Sequence, residues 1–421
     1  MIQLLMIADD FTGALDTGVQ FSAEGAVTRL ITDPSVDFAS VEAEVLVINT
    51  ESRHLPPKEA YDKVFSIVKA AKAQGIPYIY KKTDSALRGN VGSELAAILD
   101  AGGAKQLSFL PAFPKIGRTT ENGIQYIEGV PVEDSVFGQD PFSPVCYSHI
   151  PTLLGKQWRK PVSVVRSKED WDLLSEFEGI FVWDSKQDED LQRIGEVLKA
   201  NNRLGVLAGC AGMAGHLPAL LELSRSKQNS WSLPQNFFVL SGSVNPITLA
   251  QLDYAQAHGF YRIQLTAEQK LNPSYWESPQ GETALAQIKA DLSTHTRCIV
   301  DSNDKENNGE TTAYAKKNGL STEEIRVQIS RTLGYLLTQL TKEGLNATLM
   351  IIGGDTLHQC MTQMGVTEVE PLCELSPGSV LSQFNTRGRE QQVISKSGGF
   401  GNNTILVELG NMIAASPKKE V

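Results

Sequence analysis

In the first half of the chain, polar and ionisable residues gather directly after short apolar runs. Asp9-Asp10-Phe11-Thr12-Gly13 follows residues 4–8, Thr50-Glu51-Ser52-Arg53 follows 45–48, Lys82-Thr83-Asp84-Ser85 follows 78–81, and Pro111-Ala112-Phe113-Pro114 follows 107–110. Each apolar run reads as a buried strand, and open α/β sheets bind ligands beyond the carboxyl ends of their strands. Acids, an arginine, lysines and hydroxyls along one sheet edge are costly to pack, and they suit a small polyhydroxylated carboxylate. Each group also has a structural reading. Asp10 or Thr12 can cap a helix starting near Gly13, Asp84 and Arg88 can form an ion pair one helical turn apart, and Arg53 can be solvated. The coincidence of several such strand ends is what points to a pocket.

The second half carries small-residue turns between a strand and a helix: Leu240-Ser241-Gly242-Ser243-Val244-Asn245-Pro246, Ile351-Ile352-Gly353-Gly354-Asp355-Thr356 and Lys396-Ser397-Gly398-Gly399-Phe400-Gly401. Such turns aim free backbone N–H groups and a helix dipole at an anion. Several together suit a nucleotide with more than one phosphate, which needs many convergent donors. None matches G-x-x-x-x-G-K-[ST] or the dinucleotide G-x-G-x-x-G spacing. Asn245 and Pro246 read as the N-cap and first residue of a helix.

The elements that must position these groups alternate between strand and helix throughout. Further strands are expected at 180–183 and 204–208, then at 237–240, 261–265, 298–301, 348–352 and 392–395. Helices are expected at 247–258, 283–292, 322–342, 357–364 and 404–413. Ile325, Ile329, Leu333, Leu336, Leu337 and Leu340 recur at three- and four-residue steps and read as a core face. Residues 113–144, rich in Gly, Pro and charge, read as a long functional loop, a lid or an inter-domain contact. A polar run at 223–230 precedes the strand at 237, so the chain reads as two domains, 1–228 and 229–421.

Composition narrows the function. At 421 residues the chain exceeds one ordinary core. Its net charge of −11 argues against a nucleic-acid or anionic-membrane surface and leaves room for a local basic pocket. Cys146, Cys210, Cys298, Cys360 and Cys373 show neither metal spacing nor a disulfide framework and read as reduced thiols. The first residues enter a strand without a signal-peptide pattern and no apolar run approaches a membrane span, so a cytoplasmic protein is expected.

Ile7-Ala8-Asp9-Asp10-Phe11-Thr12-Gly13-Ala14, Lys81-Lys82-Thr83-Asp84-Ser85-Ala86-Leu87-Arg88-Gly89-Asn90, Ser241-Gly242-Ser243, Ile352-Gly353-Gly354-Asp355-Thr356 and Lys396-Ser397-Gly398-Gly399-Phe400-Gly401 together resemble the four-carbon acid sugar kinase family over nearly the full length. The resemblance implies two α/β domains, each a mostly parallel sheet flanked by helices, with the active site in the inter-domain cleft. The first domain would bind a four-carbon sugar acid and the second ATP, for phosphorylation of the sugar acid's 4-hydroxyl. Ala14-Leu15-Asp16-Thr17-Gly18 looks more like the threonate and erythronate branches than the 3-oxo-tetronate branch, with D-threonate the leading substrate.

Carried over position by position, the substrate contacts fall on Asp9, Arg53, Lys81, Lys82, Thr83 and Asp84. The ATP contacts fall on Ser243, Gly353, Gly354, Asp355, Thr356 and Gly399. Magnesium is expected with ATP, although the sequence names no metal ligands, and a homodimer is compatible with this reading. The proton acceptor lies among Asp9, Asp84 and Asp355. Cys210 departs from the small-residue turn expected at Ala208-Gly209-Cys210-Ala211-Gly212. A nicotinamide-dependent oxidoreductase would share the α/β pattern but needs a fingerprint followed by an acidic ribose-binding residue. A non-catalytic sugar-acid sensor would need the first pocket and none of the glycine turns.

Overall fold

A computed structural model describes residues 1–33, 37–140, 143–173, 177–223, 231–305, 309–342, 344–386 and 388–416. Two compact units, Met1–Gln228 and Asn229–Val421, are described separately below. Most of the polar run at 223–230 that suggests a domain boundary lies outside the described residues.

The strands of the first unit are β1 (Leu4–Ala8), β2 (Thr28–Ile31), β3 (Val45–Asn49), β4 (Tyr78–Lys82), β5 (Gln106–Leu110), β6 (Arg118–Glu121), β7 (Ile124–Ile127), β8 (Val130–Pro131), β9 (Val162–Val165), β10 (Gly179–Trp183) and β11 (Val206–Gly209). The main sheet runs β2-β3-β1-β4-β11-β5-β10-β9, with every pair parallel. Both faces are covered, so β1 and β3 are buried at every position and read as continuous apolar runs. Helix Pro57–Ala73 turns Val64, Ile67, Val68 and Ala71 inward, and helix Val91–Gly102 contributes Leu95, Ile98 and Leu99 to the same core as Leu5, Ile7, Leu46 and Ile79.

The expected long loop is instead a small antiparallel sheet, β6-β7-β8. Two reversals build it. Asn122 and Gly123 have φ of 52° and 71°, and Glu128 and Gly129 have φ of 51° and 83°. Positive φ at both central residues gives the turn whose twist matches a hairpin, and Asn-Gly is its usual sequence.

The strands of the second unit are β12 (Phe237–Ser241), β13 (Tyr261–Gln264), β14 (Arg297–Asp301), β15 (Thr348–Ile352), β16 (Glu368–Ser376), β17 (Ser379–Thr386) and β18 (Arg389–Lys396). Their order is β13-β14-β12-β15-β18-β17-β16. Pairing is parallel as far as β18 and antiparallel from β18 to β16. Helix Thr322–Lys342 buries Leu333, Leu336, Leu337 and Leu340, whereas Ile325 and Ile329 are only half-buried. Gly334 brings this helix against helix Gly354–Met364, because a Cβ there would lie 2.7 Å from Gln363 Nε2 and 3.0 Å from the Gln359 carbonyl oxygen.

Candidate active site

Strand register gathers the polar groups of the first unit. Ala8 pairs with Asn49 and with Lys82, and Lys82 with Gly209, so Asp9, Thr50, Thr83 and Cys210 all follow strands that end level with one another. Asp10 caps helix Phe11–Ala23 by accepting from the Gly13 N–H, and Thr12 donates its hydroxyl to Asp10 Oδ2 at 2.7 Å. The cap is therefore Asp10, with Thr12 supporting it.

Arg53 is the hub of this edge and is half-buried among carboxylates rather than solvated. Its Nε lies 2.7 Å from Asp9 Oδ2, its Nη2 lies 2.8 Å from Asp10 Oδ1, and Nη2 also approaches Asp84 Oδ1 at 3.5 Å. Burial opposes the guanidinium charge, but Asp10, Asp9 and Asp84 outweigh it and push the Arg53 pKa up. Burial likewise raises the Asp9 carboxyl, and Arg53, Lys81 and Lys82 overcome that and hold it below its ordinary value. Asp9 Oδ1 is buried with no hydrogen-bond partner among the described residues, an expensive condition for a carboxylate oxygen unless a ligand completes it.

The two adjacent lysines part company because side chains alternate across a strand. Lys81 is fully buried, donates to the Lys82 carbonyl oxygen at 2.7 Å and pairs with Glu94 Oε2 at 3.0 Å. Glu94 also accepts from Ser52 Oγ, which is within 2.6 Å of Thr50 Oγ1. Lys81 is thus part of a buried charge network with Glu94 and Ser52. Lys82 is 5% exposed, and no hydrogen bond or ion pair closes on its ammonium among the described residues. A Cβ on Gly13 would lie 2.6 Å from Lys82 Nζ and 2.4 Å from Asp10 Oδ1. The glycine leaves room for the ammonium beside the carboxylates.

Asp84 sits in an irregular turn rather than on a helix. Arg88 grips it with Nε to Oδ2 and Nη2 to Oδ1, both at 2.9 Å, and the Ala86 and Arg88 N–H groups donate to Oδ2 at 3.2 Å. Arg88 also reaches Asp140 at 3.2 Å and lies over the Phe137 ring. Burial raises the Asp84 carboxyl, but Arg88 and Arg53 drive it far below the carboxylate range. A depressed folded pKa contributes stability that is present above the unfolded value of about 4 and lost as pH falls toward the folded value. The stability gap between wild type and Asp84→Asn should therefore narrow as pH falls from 5 to 2, read as melting temperature against pH.

The small sheet contributes residues that motif reading passes over. Arg118 on β6 is buried and also lies over the Phe137 ring, 5.0 Å from its centroid. Gln125 on β7 donates to the Ser85 carbonyl oxygen at 3.0 Å and accepts from Thr120 Oγ1 at 2.7 Å, tying the hairpin beneath the Asp84 turn. The Asn-Gly dipeptide at 122–123 was the available signal. Cys210 donates its thiol to the Pro111 and Ala112 carbonyl oxygens, and burial pushes its pKa to about 11. It is an inert packing thiol.

Register does the same work in the second unit. Ser241 pairs with Ile352 and with Asp301, and Ile352 pairs with Lys396, so all the glycine turns begin at one level. Asn245 caps helix Pro246–Ala257 through the Ile247 N–H, and Pro246 is its first residue. A Cβ on Gly242 would lie 2.0 Å from Thr356 Oγ1, and one on Gly398 would lie 2.5 Å from Ser243 Oγ. Thr248 Oγ1 donates to the Gly398 carbonyl oxygen at 2.9 Å, and Gln251 Nε2 to those of Phe400, Gly401 and Asn402 at 2.9 to 3.0 Å. Ser243, Gly353, Gly354, Thr356 and Gly399 thus lie on turns packed together, and Gly242 and Gly398 are needed for that close approach. Gly353 has φ of 109°, outside the range of ordinary residues. Asp355 lies in the first turn of its helix, 2.6 Å from Arg326 Nη1.

Two further groups complete this edge. Asn303, after β14, donates to the Ser243 carbonyl oxygen at 3.0 Å and to Asp301 Oδ1 at 2.7 Å, while Arg262 holds Asp301 Oδ2. Lys270 is fully buried and donates to the Ser302 carbonyl oxygen and to Asp304 Oδ1 at 2.9 and 2.6 Å. No short motif marks these residues, since they meet only through the pairing of β12 with β14. Among the described residues no group of His, Cys, Asp and Glu forms a metal cage, and no helix is long and apolar enough to cross a membrane.

Comparison with known proteins follows the same division. Residues 4–217 match the family model described as a sugar-binding N-terminal domain, and residues 238–406 match the one described as a nucleotide-binding C-terminal domain. A D-threonate kinase of Salmonella typhimurium is 30% identical over 420 residues, covering 97% of each chain. A 3-oxo-tetronate kinase of Burkholderia multivorans is 26% identical over 418 residues, covering 94% of each. The fold also matches that of a Salmonella typhimurium LT2 protein whose structure carries a tRNA synthase description, with a TM-score of 0.78 at 22% identity and coverage of 97% and 99%. At that identity the likeness speaks for the fold alone.

Proposed function

The chain belongs to the four-carbon acid sugar kinase family, and on that premise we propose that it transfers the γ-phosphoryl group of ATP to the 4-hydroxyl of D-threonate, giving 4-phospho-D-threonate and ADP. It is a phosphotransferase with an alcohol acceptor. The observation that carries the substrate side is the meeting on one sheet edge of Lys82, whose ammonium has no ion-pair partner among the described residues, with Asp9 Oδ1, a buried carboxylate oxygen that has no hydrogen-bond partner among them. A hydroxylated carboxylate offers what both lack: an anion for Lys82 and hydroxyl donors for Asp9. The D-threonate kinase relative supports the choice of tetronate.

Phosphoryl transfer asks mainly for positioning and charge neutralisation. Lys82 would bind the substrate anion, and Arg53 would keep Asp9 ionised and hold Asp9 and Asp10 in place. Asp9 would accept the proton of the reacting hydroxyl, because its buried Oδ1 has no hydrogen-bond partner among the described residues, whereas Asp84 is occupied by Arg88 and by two amides. In the second unit, the amides after Ser241 and Gly353 and the turn at Gly399 would hold the nucleotide phosphates. The packed glycine turns fit that ligand, since a Cβ at Gly242 or Gly398 would push the turns that carry Thr356 and Ser243 apart. Magnesium entering with the nucleotide would neutralise phosphate charge.

The test is incubation with ATP, magnesium and a panel of D-threonate, D-erythronate and 3-oxo-tetronate, following ADP release and phosphorylated product. D-threonate should give the highest kcat/KM. A higher value for another tetronate would reassign the substrate, and no turnover on any member would overturn the kinase reading.

A further inference from the structure

An acid in the first turn of a phosphate-binding helix is an anomaly. Asp355 stabilises the helix dipole, yet its charge repels the phosphates that the same N-terminus would attract. Its partner lies 29 positions earlier: Arg326 on helix Thr322–Lys342 places Nη1 2.6 Å from Asp355 Oδ1. The guanidinium is held on its other side by Glu323, with Nε to Oε2 at 2.9 Å and Nη2 to Oε1 at 2.6 Å. Its side chain is 15% exposed against 34% for Asp355. Burial opposes the Arg326 charge, while Glu323 and Asp355 more than restore it and raise its pKa.

The two helices cannot slide apart to release this contact cheaply. They meet at Gly334, where a Cβ would collide with Gln363, and Gln363 Nε2 donates to the Arg331 carbonyl oxygen at 2.9 Å. The guanidinium is therefore pre-placed at the mouth of the Gly353 turn, with little entropy left to lose.

We propose that Arg326 is a positioning residue of the nucleotide site: it cancels the charge of Asp355, so that the turn at Gly353-Gly354-Asp355-Thr356 accepts a polyphosphate. The inference rests on the reading of that turn as the phosphate site. It makes a prediction that packing alone would not, namely that the need for Arg326 disappears when Asp355 carries no charge.

The experiment measures binding of ATP and of uncharged adenosine to the full chain by calorimetry, without sugar acid, for wild type, Arg326→Met, Asp355→Asn and the double variant. Arg326→Met should weaken ATP binding about tenfold or more and leave adenosine binding unchanged. In the Asp355→Asn background the same substitution should change ATP affinity by less than about threefold. Wild-type ATP affinity in Arg326→Met overturns the proposal, and so does an equal loss in both backgrounds, which would mean that Arg326 itself grips phosphate. Loss of adenosine binding as well would mark a distorted site and overturn the charge argument. A wild-type chain that binds adenosine but not ATP, or neither, overturns the phosphate-site reading and this inference with it.

Discussion

Asp9→Asn should lower kcat by roughly 10²- to 10⁴-fold while leaving ATP affinity unchanged. The substitution keeps shape and volume and removes the capacity of Oδ1 to take a proton. That oxygen is buried and has no hydrogen-bond partner among the described residues, whereas Oδ2 is already engaged by Arg53 at 2.7 Å. Its pKa is held low by Arg53, Lys81 and Lys82 against the effect of burial, so the group is ionised and ready to accept a hydrogen bond from a substrate hydroxyl across the neutral range. Asp84→Asn should cost activity through the Arg88 and Arg53 geometry and less steeply. Steady-state kinetics of the two variants, with urea unfolding as a control for folding, separates the roles. An Asp9→Asn chain within about tenfold of wild-type kcat would remove it as the base.

Arg53→Met carries the largest expected effect on stability. Arg53 lies between Asp9, Asp10 and Asp84, at 2.7, 2.8 and 3.5 Å, and its side chain is 10% exposed. Removing it leaves acids facing one another in a poorly solvated space, and breaking a buried pair from one side costs about 3–5 kcal/mol. Replacing the guanidinium by an ammonium should restore little, since a point charge cannot address two carboxylates from the two ends of a planar fork. Activity should be lost in both variants. Urea midpoints decide the matter: a loss below about 1 kcal/mol in Arg53→Met would mean that the cluster behaves as a solvated surface pair.

These expectations show how unevenly the site could be read. The strand ends are legible because a parallel sheet buried on both faces demands apolar runs, and a polar group directly after such a run has no packing reason to be there. Arg53 and Lys82 stand out on that ground alone. The glycine turns are legible because close approach and positive φ exclude side chains, as Gly242 and Gly353 show. The small sheet was hidden by its own composition: a stretch rich in Gly, Pro and charge reads as loop, and only the Asn122-Gly123 reversal betrays a hairpin. The antiparallel strands β16 and β17 were likewise missed, since acidic residues in the one and Ser382, Gln383 and Asn385 in the other break the apolar run that marks a buried strand.

By itself, then, the sequence determined the α/β alternation, the residues that end each strand and the turns that only glycine can make, because these depend on local sterics and periodicity. Tertiary structure decided what those residues face. Lys81 meets Glu94, Arg53 meets Asp9, and Asp355 meets Arg326 across 13, 44 and 29 positions of chain. Strand register and helix packing set such meetings, and both arise from long-range pairing that leaves no local trace. That is why two neighbouring lysines of like chemistry separate, one into a buried ion pair and the other, unpaired, beside the carboxylates of the sheet edge.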